Sequence, residues 1–222
     1  MMNANRSSDR VRALAAEGKL DAAEAARLLA AIDAPAAGAS QWNKVLLNPF
    51  ARLQTSTALV LGGITAACGV GAAIALGVRF DGFVDLHVVS NVTLRAALLD
   101  QLASVLIPAF VLFTCARLLS PALRVVDFVV VTTLARAPLT LMSAPIALVS
   151  PAIVPGAVPT ASLRLLAMIA FALLGVVGHV TWLFNGFRTA SGVTGARSTA
   201  AFIGALVAAE VISKIALRLF AL

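Results

Sequence analysis

The chain has 222 residues, 60% of them hydrophobic and 12% charged, about half the roughly 25% charged content of soluble domains. With a mean hydropathy of +0.97, this excludes an ordinary soluble domain and points to a membrane protein. The net charge of +7 comes from basic residues scattered through polar segments with no aromatic platform beside them. That pattern excludes a nucleic-acid partner and marks membrane topology.

The first segment, residues 1–33, is polar, and no apolar run with a small-residue cleavage site follows the first methionine, so no secretory signal peptide is expected. Within it, "DRVRALAAEGKLDAAEAARLLAAID" predicts a cytoplasmic helical hairpin. Asp9 is expected to cap a helix that Gly18 ends, and Asp21 to open a second one, with Glu24 completing a capping box. Its apolar stripe is too small for an independent core, so the hairpin is expected to self-associate or meet a partner. Residues 34–57 read as an Ala/Gly/Pro linker followed by "QWNKVLLNPFARLQTSTA". There Trp42, Val45, Leu46 and Phe50 can lie on a membrane surface while Lys44 and Arg52 face headgroups, or the segment is a plain lead-in to the first crossing.

Residues 58–222 contain five stretches near the roughly 20 apolar residues that a crossing helix needs. They are 58–78, 96–119, 125–149, 163–184 and 199–220. The first contains Gly62, Gly63, Gly69, Gly71 and Gly77, read as small-residue helix packing rather than as a nucleotide loop. Pro138 and Pro145 interrupt the third, which is expected to be a kinked helix. Cys68 and Cys115 stand singly in apolar runs and read as small core residues, not as a disulfide or metal site. The expected fold is therefore an all-α integral membrane protein with five transmembrane helices. With the N-terminus cytoplasmic, eleven basic residues fall on inside segments and three (Arg79, Arg95, Arg164) on outside ones. The positive-inside rule thus puts the N-terminus in the cytoplasm and the C-terminus outside.

No P-loop, GxSxG, HExxH or paired cysteines occur, so neither enzymatic chemistry nor a cofactor is expected. The residues that need explaining are ionisable groups at membrane depth. Counting about 1.5 Å per residue, they fall into three layers: Asp127 with His179, Arg136 with Glu210 near the midplane, and Asp100 with Lys214. These pairs are expected to fix helix register and rotation; the competing reading is a polar path for a proton, an ion or a lipid headgroup. Glu210 and Lys214 also stand four apart, in the order that favours an ion pair on one helix face.

Three stretches, "NPFARL", "VDFVVVTTLARAPLTLM" and "NGFRTASGVTGARSTAAFIGALVAAEVISKIAL", resemble the bacterial branch of the Yip family, the Ypt/Rab-interacting membrane proteins. Asn185, Gly186, Phe187, Arg188, Gly195, Glu210 and Lys214 match the ending of its bacterial members. "AEGKLDAAEAARLL" is similar to the short SHOCT interaction motif. The resemblance implies a non-enzymatic scaffold or assembly protein of a bacterial inner membrane, self-associating or joined to other membrane subunits. A small-GTPase partner, known for eukaryotic members, is not carried over, because a short hairpin replaces their long tail. The alternative is a small transporter, channel or lipid-handling protein.

Overall fold

A computed structural model describes residues 2–33, 47–80, 82–89, 91–120, 123–150 and 162–220. Trp42, Lys44, Val45 and Leu46 of the expected interfacial segment lie outside them. The chain divides into two compact units, residues 1–44 and 45–222.

The first unit holds α1 (Met2–Ala16) and α2 (Ala22–Asp33), packed on each other. Gly18 adopts a left-handed φ of 70°. Its turn is closed by Lys19 N–H donating to the Leu14 carbonyl at 3.0 Å, so glycine ends the helix as expected. Asp21 caps α2 by accepting from Glu24 N–H at 2.7 Å. Asp9, however, is no cap. It lies inside α1, 3.6 Å from Arg12, because no glycine or proline breaks the helical run before Gly18.

In the second unit a short 3-10 turn (Pro49–Ala51) leads into α3 (Thr55–Leu76). A two-stranded antiparallel hairpin follows, β1 (Val78–Arg79) and β2 (His87–Val88). Then come α4 (Leu94–Arg117), α5 (Val125–Ala135), α6 (Ala137–Val149), α7 (Leu163–Ser191) and α8 (Gly195–Phe220). Among the described residues five stretches are long and apolar enough to cross a membrane: α3, α4, α5 with α6, α7 and α8. The chain is an all-helical, multi-pass membrane protein.

The third crossing breaks at Arg136, which closes α5 and opens α6, with Pro138 in the first turn of α6. Pro138 has no N–H to donate to the Leu134 carbonyl, which accounts for a break two residues earlier. Pro145 is accommodated inside α6, and a buried Pro108 inside α4.

Side chains sort by the usual helical stripes, with the outward faces apolar as lipid requires. Leu59, Val60, Phe110, Leu141 and Val177 are exposed, whereas Leu112, Phe128, Leu183, Phe187 and Phe202 pack the centre. Phe128, Phe187 and Phe202 meet in tilted and edge-on contacts with centroids 5.8–6.3 Å apart. The small residues of α3 divide. Gly62 lies against Thr133, where an added Cβ would be 3.1 Å from Thr133 Cβ, and Gly69 lies against Gln101. Gly63, Gly71 and also Cys68 face outward. Cys68 is thus a surface residue of the bundle and not the core residue expected.

Candidate functional site

The hairpin that joins α3 to α4 is folded back into the bundle. Gly77 ends α3 with a φ of 62°, donating its N–H to the Ala73 carbonyl. A side chain there would run into the Val89 carbonyl oxygen, so the turn requires glycine. The ladder pairs Val78 with Val88 and Arg79 with His87, and Val89 N–H donates to the Gly77 carbonyl at 2.7 Å. Between the strands, Phe80 is 2% and Phe83 0% exposed.

These aromatic side chains reach membrane depth. The Phe83 ring meets His179 edge-on, centroids 5.3 Å apart, and the Phe80 ring lies 5.1 Å from the Arg136 guanidinium carbon. His179 stands sixteen residues into α7, about 24 Å along it. Arg136 is eleven residues into the third crossing, about 16 Å. In a hydrocarbon core of roughly 30 Å Arg136 lies near the middle and His179 nearer one face. Non-helical backbone is tolerated at such depth only when protein surrounds it and its polar groups are satisfied.

Glu210 supplies that satisfaction. Its Oε2 accepts from Phe83 N–H at 2.9 Å and from Val84 N–H at 3.1 Å. Its Oε1 lies 3.1 Å from Lys214 Nζ, which also binds Asp85 of the hairpin at 2.8 Å. Gly82 permits this approach, since an added Cβ would come within 3.0 Å of Glu210 Oε1 and of Asp85 Cβ. On the other flank, Arg79 donates through Nε and Nη2 to the two oxygens of Asp100, both at 2.9 Å. Burial pushes the Asp85 carboxylate upward, but Lys214 and His87 outweigh it and hold its pKa below the ordinary value.

None of the three expected interhelical pairs forms. Asp127 binds Arg124 beside its own helix start, at 2.9 and 2.7 Å. His179 Nδ1 donates to the Ala135 carbonyl at 2.7 Å. Asp100 is taken by Arg79, and Glu210 by the hairpin backbone. Only the local Glu210–Lys214 pair is present. Residue counting gives height along a helix but not rotation about it, and it takes no account of a loop that competes at the same height. Arg79, Phe80, Gly82, Phe83 and Asp85 were missed for that reason. The sequence signal was "VRFDGFVDLHV", unusually aromatic and charged for a solvated turn.

Arg136 is the exception. It is fully buried, and its Nε, Nη1 and Nη2 all lack a hydrogen-bond partner. The carboxylate of Asp100 acts on it favourably from a distance, but both oxygens of that carboxylate already serve Arg79.

Of the residues that carried the resemblance in the sequence, Glu210 and Lys214 hold the hairpin, whereas Asn185, Gly186, Phe187, Arg188 and Gly195 lie at the other end of the bundle. Asn185 Nδ2 donates to the Leu47 carbonyl at 2.8 Å, and Asn48 Nδ2 to Thr189 Oγ1 at 3.4 Å. Gly186 lets Phe50 and Val131 close over α7, since an added Cβ would stand 2.6 Å from Val131 and 2.9 Å from Phe50. Phe187 is buried, Arg188 lies over the Phe184 ring at 5.6 Å, and Gly195 starts α8 with a φ of 71°. A cleft of about 230 Å³ opens here, lined by Phe50, Leu53, Arg124, Asp127, Gly186 and Thr189 among others. Among the described residues no cluster of three or more His, Cys, Asp or Glu side chains is placed to hold a metal ion.

The fold and these two regions define the class: a helical membrane protein with five stretches fit to cross a membrane and a hairpin folded back among its helices. No family model, no curated protein and no solved structure matches the chain.

Proposed function

We propose that this protein is a non-enzymatic scaffold or assembly factor of the Yip type in a bacterial inner membrane, working as an oligomer or as a subunit of a larger complex. The observation that carries this reading is the outward face of α3. Gly63, Ala67, Gly71 and Ala75 recur every four residues on its exposed side, and nothing lies within 4 Å of a Cβ added at Gly63 or Gly71. Small residues at this spacing let a second helix approach closely in lipid, where packing and not hydrophobicity drives association. The eleven-to-three distribution of basic residues supports a cytoplasmic N-terminus.

The test is native mass spectrometry of the full chain in nanodiscs, with oxidative cross-linking through Cys68, which is exposed on the same helix. The expected result is a dimer or heteromeric complex that cross-links and that Gly63→Leu with Gly71→Leu disperses. A lone monodisperse chain that moves ions or lipids in liposomes overturns the reading. The second reading, a small transporter or channel, is favoured by one observation, the buried and unpartnered Arg136.

A further inference from the structure

The geometry points to a binding site for a small monovalent anion at Arg136, roofed by the hairpin. This goes beyond the assembly reading and stands without it.

The first ground is a count of polar groups. A guanidinium carries five N–H donors and no acceptor, and here all three nitrogens are buried without a partner. An unpaired charge at membrane depth is strongly unfavourable, so such groups are compensated by a counter-charge, a carbonyl or water. Thr140, one turn further along α6, adds a buried hydroxyl that is also unpartnered. Positions four apart on a helix share a face, so guanidinium and hydroxyl lie on the same side of α6. A set dominated by donors fits a ligand made of acceptor atoms.

The second ground is charge. Among the described residues, both oxygens of the Asp100 carboxylate are occupied by Arg79. The Arg136 guanidinium is hydrogen-bonded by none of those residues, and its single charge matches a monoanion. Glu210 does not neutralise it, since its oxygens are engaged by Phe83, Val84 and Lys214.

The third ground is access. The face of the guanidinium is covered by the Phe80 ring, and Phe80 belongs to the hairpin, which ion pairs at Arg79 and Asp85 fasten to α4 and α8. The side chains of Arg79 and Asp85 are 31% and 32% exposed, so neither fastening is sealed inside the bundle. Displacing Phe80, which also packs with Ala73, Ala97 and Leu139, opens the donor set from the hairpin side. The fork of a guanidinium matches a short carboxylate, so formate is the first probe and chloride the second.

The experiment is thermal unfolding of the full chain in nanodiscs at fixed ionic strength, with gluconate, a bulky anion, replaced stepwise by formate or chloride. The expected result is a saturable rise in melting temperature, lost in Arg136→Met. Because that variant removes an unpartnered charge, it melts no lower than the wild type in gluconate. Arg136→Lys keeps the charge but loses the fork, and is expected to raise half-saturation by formate about tenfold, a loss of about 1.4 kcal/mol. Phe80→Ala melts lower throughout, because Phe80 also packs with Ala73, Ala97 and Leu139, but keeps the response to anion, since the donors remain. Identical wild-type melting in all three salts overturns the proposal and leaves ordered water as the partner of Arg136. So does an undiminished response in Arg136→Met, or failure of that variant to fold, which would mean that the guanidinium has its partner within the protein.

Discussion

At one end of the bundle the hairpin 78–89 is held by ion pairs and by a carboxylate that accepts from backbone N–H groups; at the other, the turn around Asn48–Arg52 is held by amide hydrogen bonds and by close packing on Gly186. Both solve the same problem, how non-helical chain is fastened to a helical bundle. The hairpin reaches depths where water is absent, so its free N–H groups need a built-in acceptor, and Glu210 provides it. The turn at the other end stays near the bundle's edge and can rely on shape, with neutral amides finishing the contact. Charge is thus placed where backbone must be satisfied at depth, and glycine where chain must approach closely.

The sharpest way to break this contrast is Glu210→Leu. It leaves the N–H groups of Phe83 and Val84 without an acceptor and Lys214 with Asp85 alone, and should cost about 3–5 kcal/mol. Glu210→Gln keeps one acceptor oxygen and should recover part of that loss. Unfolding in nanodiscs checks both, and if Glu210→Leu melts like the wild type, the carboxylate does not hold the hairpin.

Next in size is the flank. Arg79→Ala or Asp100→Ala should each cost about 1.5–3 kcal/mol, the range for hydrogen bonds to charged groups. In a double-mutant cycle the two losses should be strongly non-additive; additivity would refute the pairing. At the opposite end, Gly186→Ala should cost about 1–2 kcal/mol, because overpacking outweighs the roughly 1 kcal/mol gained in helix propensity. Val131→Ala placed with it should restore part of the loss, whereas the Glu210 variants should be indifferent to Val131.

The smallest effect concerns pH. Asp85 has a folded pKa below its unfolded value, so its contribution is fully present above the unfolded carboxylate value and fades as pH falls through the folded one. Stability followed downward from pH 6 should show that loss in the wild type and lack it in Asp85→Asn. Gly186→Ala leaves Asp85 and its partners in place and should leave the pH profile unchanged.

Much of the architecture was legible because hydropathy and length act locally. Each of the five crossings overlaps its expected range closely, since burying about 20 apolar residues in lipid needs no tertiary information. The pairing of Glu210 with Lys214 was legible for the same reason, being a property of one helix turn. The pairing between helices was not. Asp100 and Lys214 were matched by depth, yet each found a partner on the hairpin, Arg79 and Asp85, a segment counted only as lying outside. The break at Arg136 was foreseeable from Pro138, but not that the arginine would be left without a partner.

The sequence by itself determined the membrane class, the number of crossings, the turn that needs glycine at Gly18, and the ion pair within α8, because each follows from the chemistry of a few consecutive residues; Gly77, read as helix packing, proved to be the turn that ends α3. Only the tertiary structure decided that the hairpin folds back among the helices, that Glu210 serves backbone instead of Arg136, and that Gly186 admits Phe50. Those outcomes depend on how helices are rotated about their axes and on which loop arrives first at a given depth, and a periodicity of 3.6 residues fixes neither.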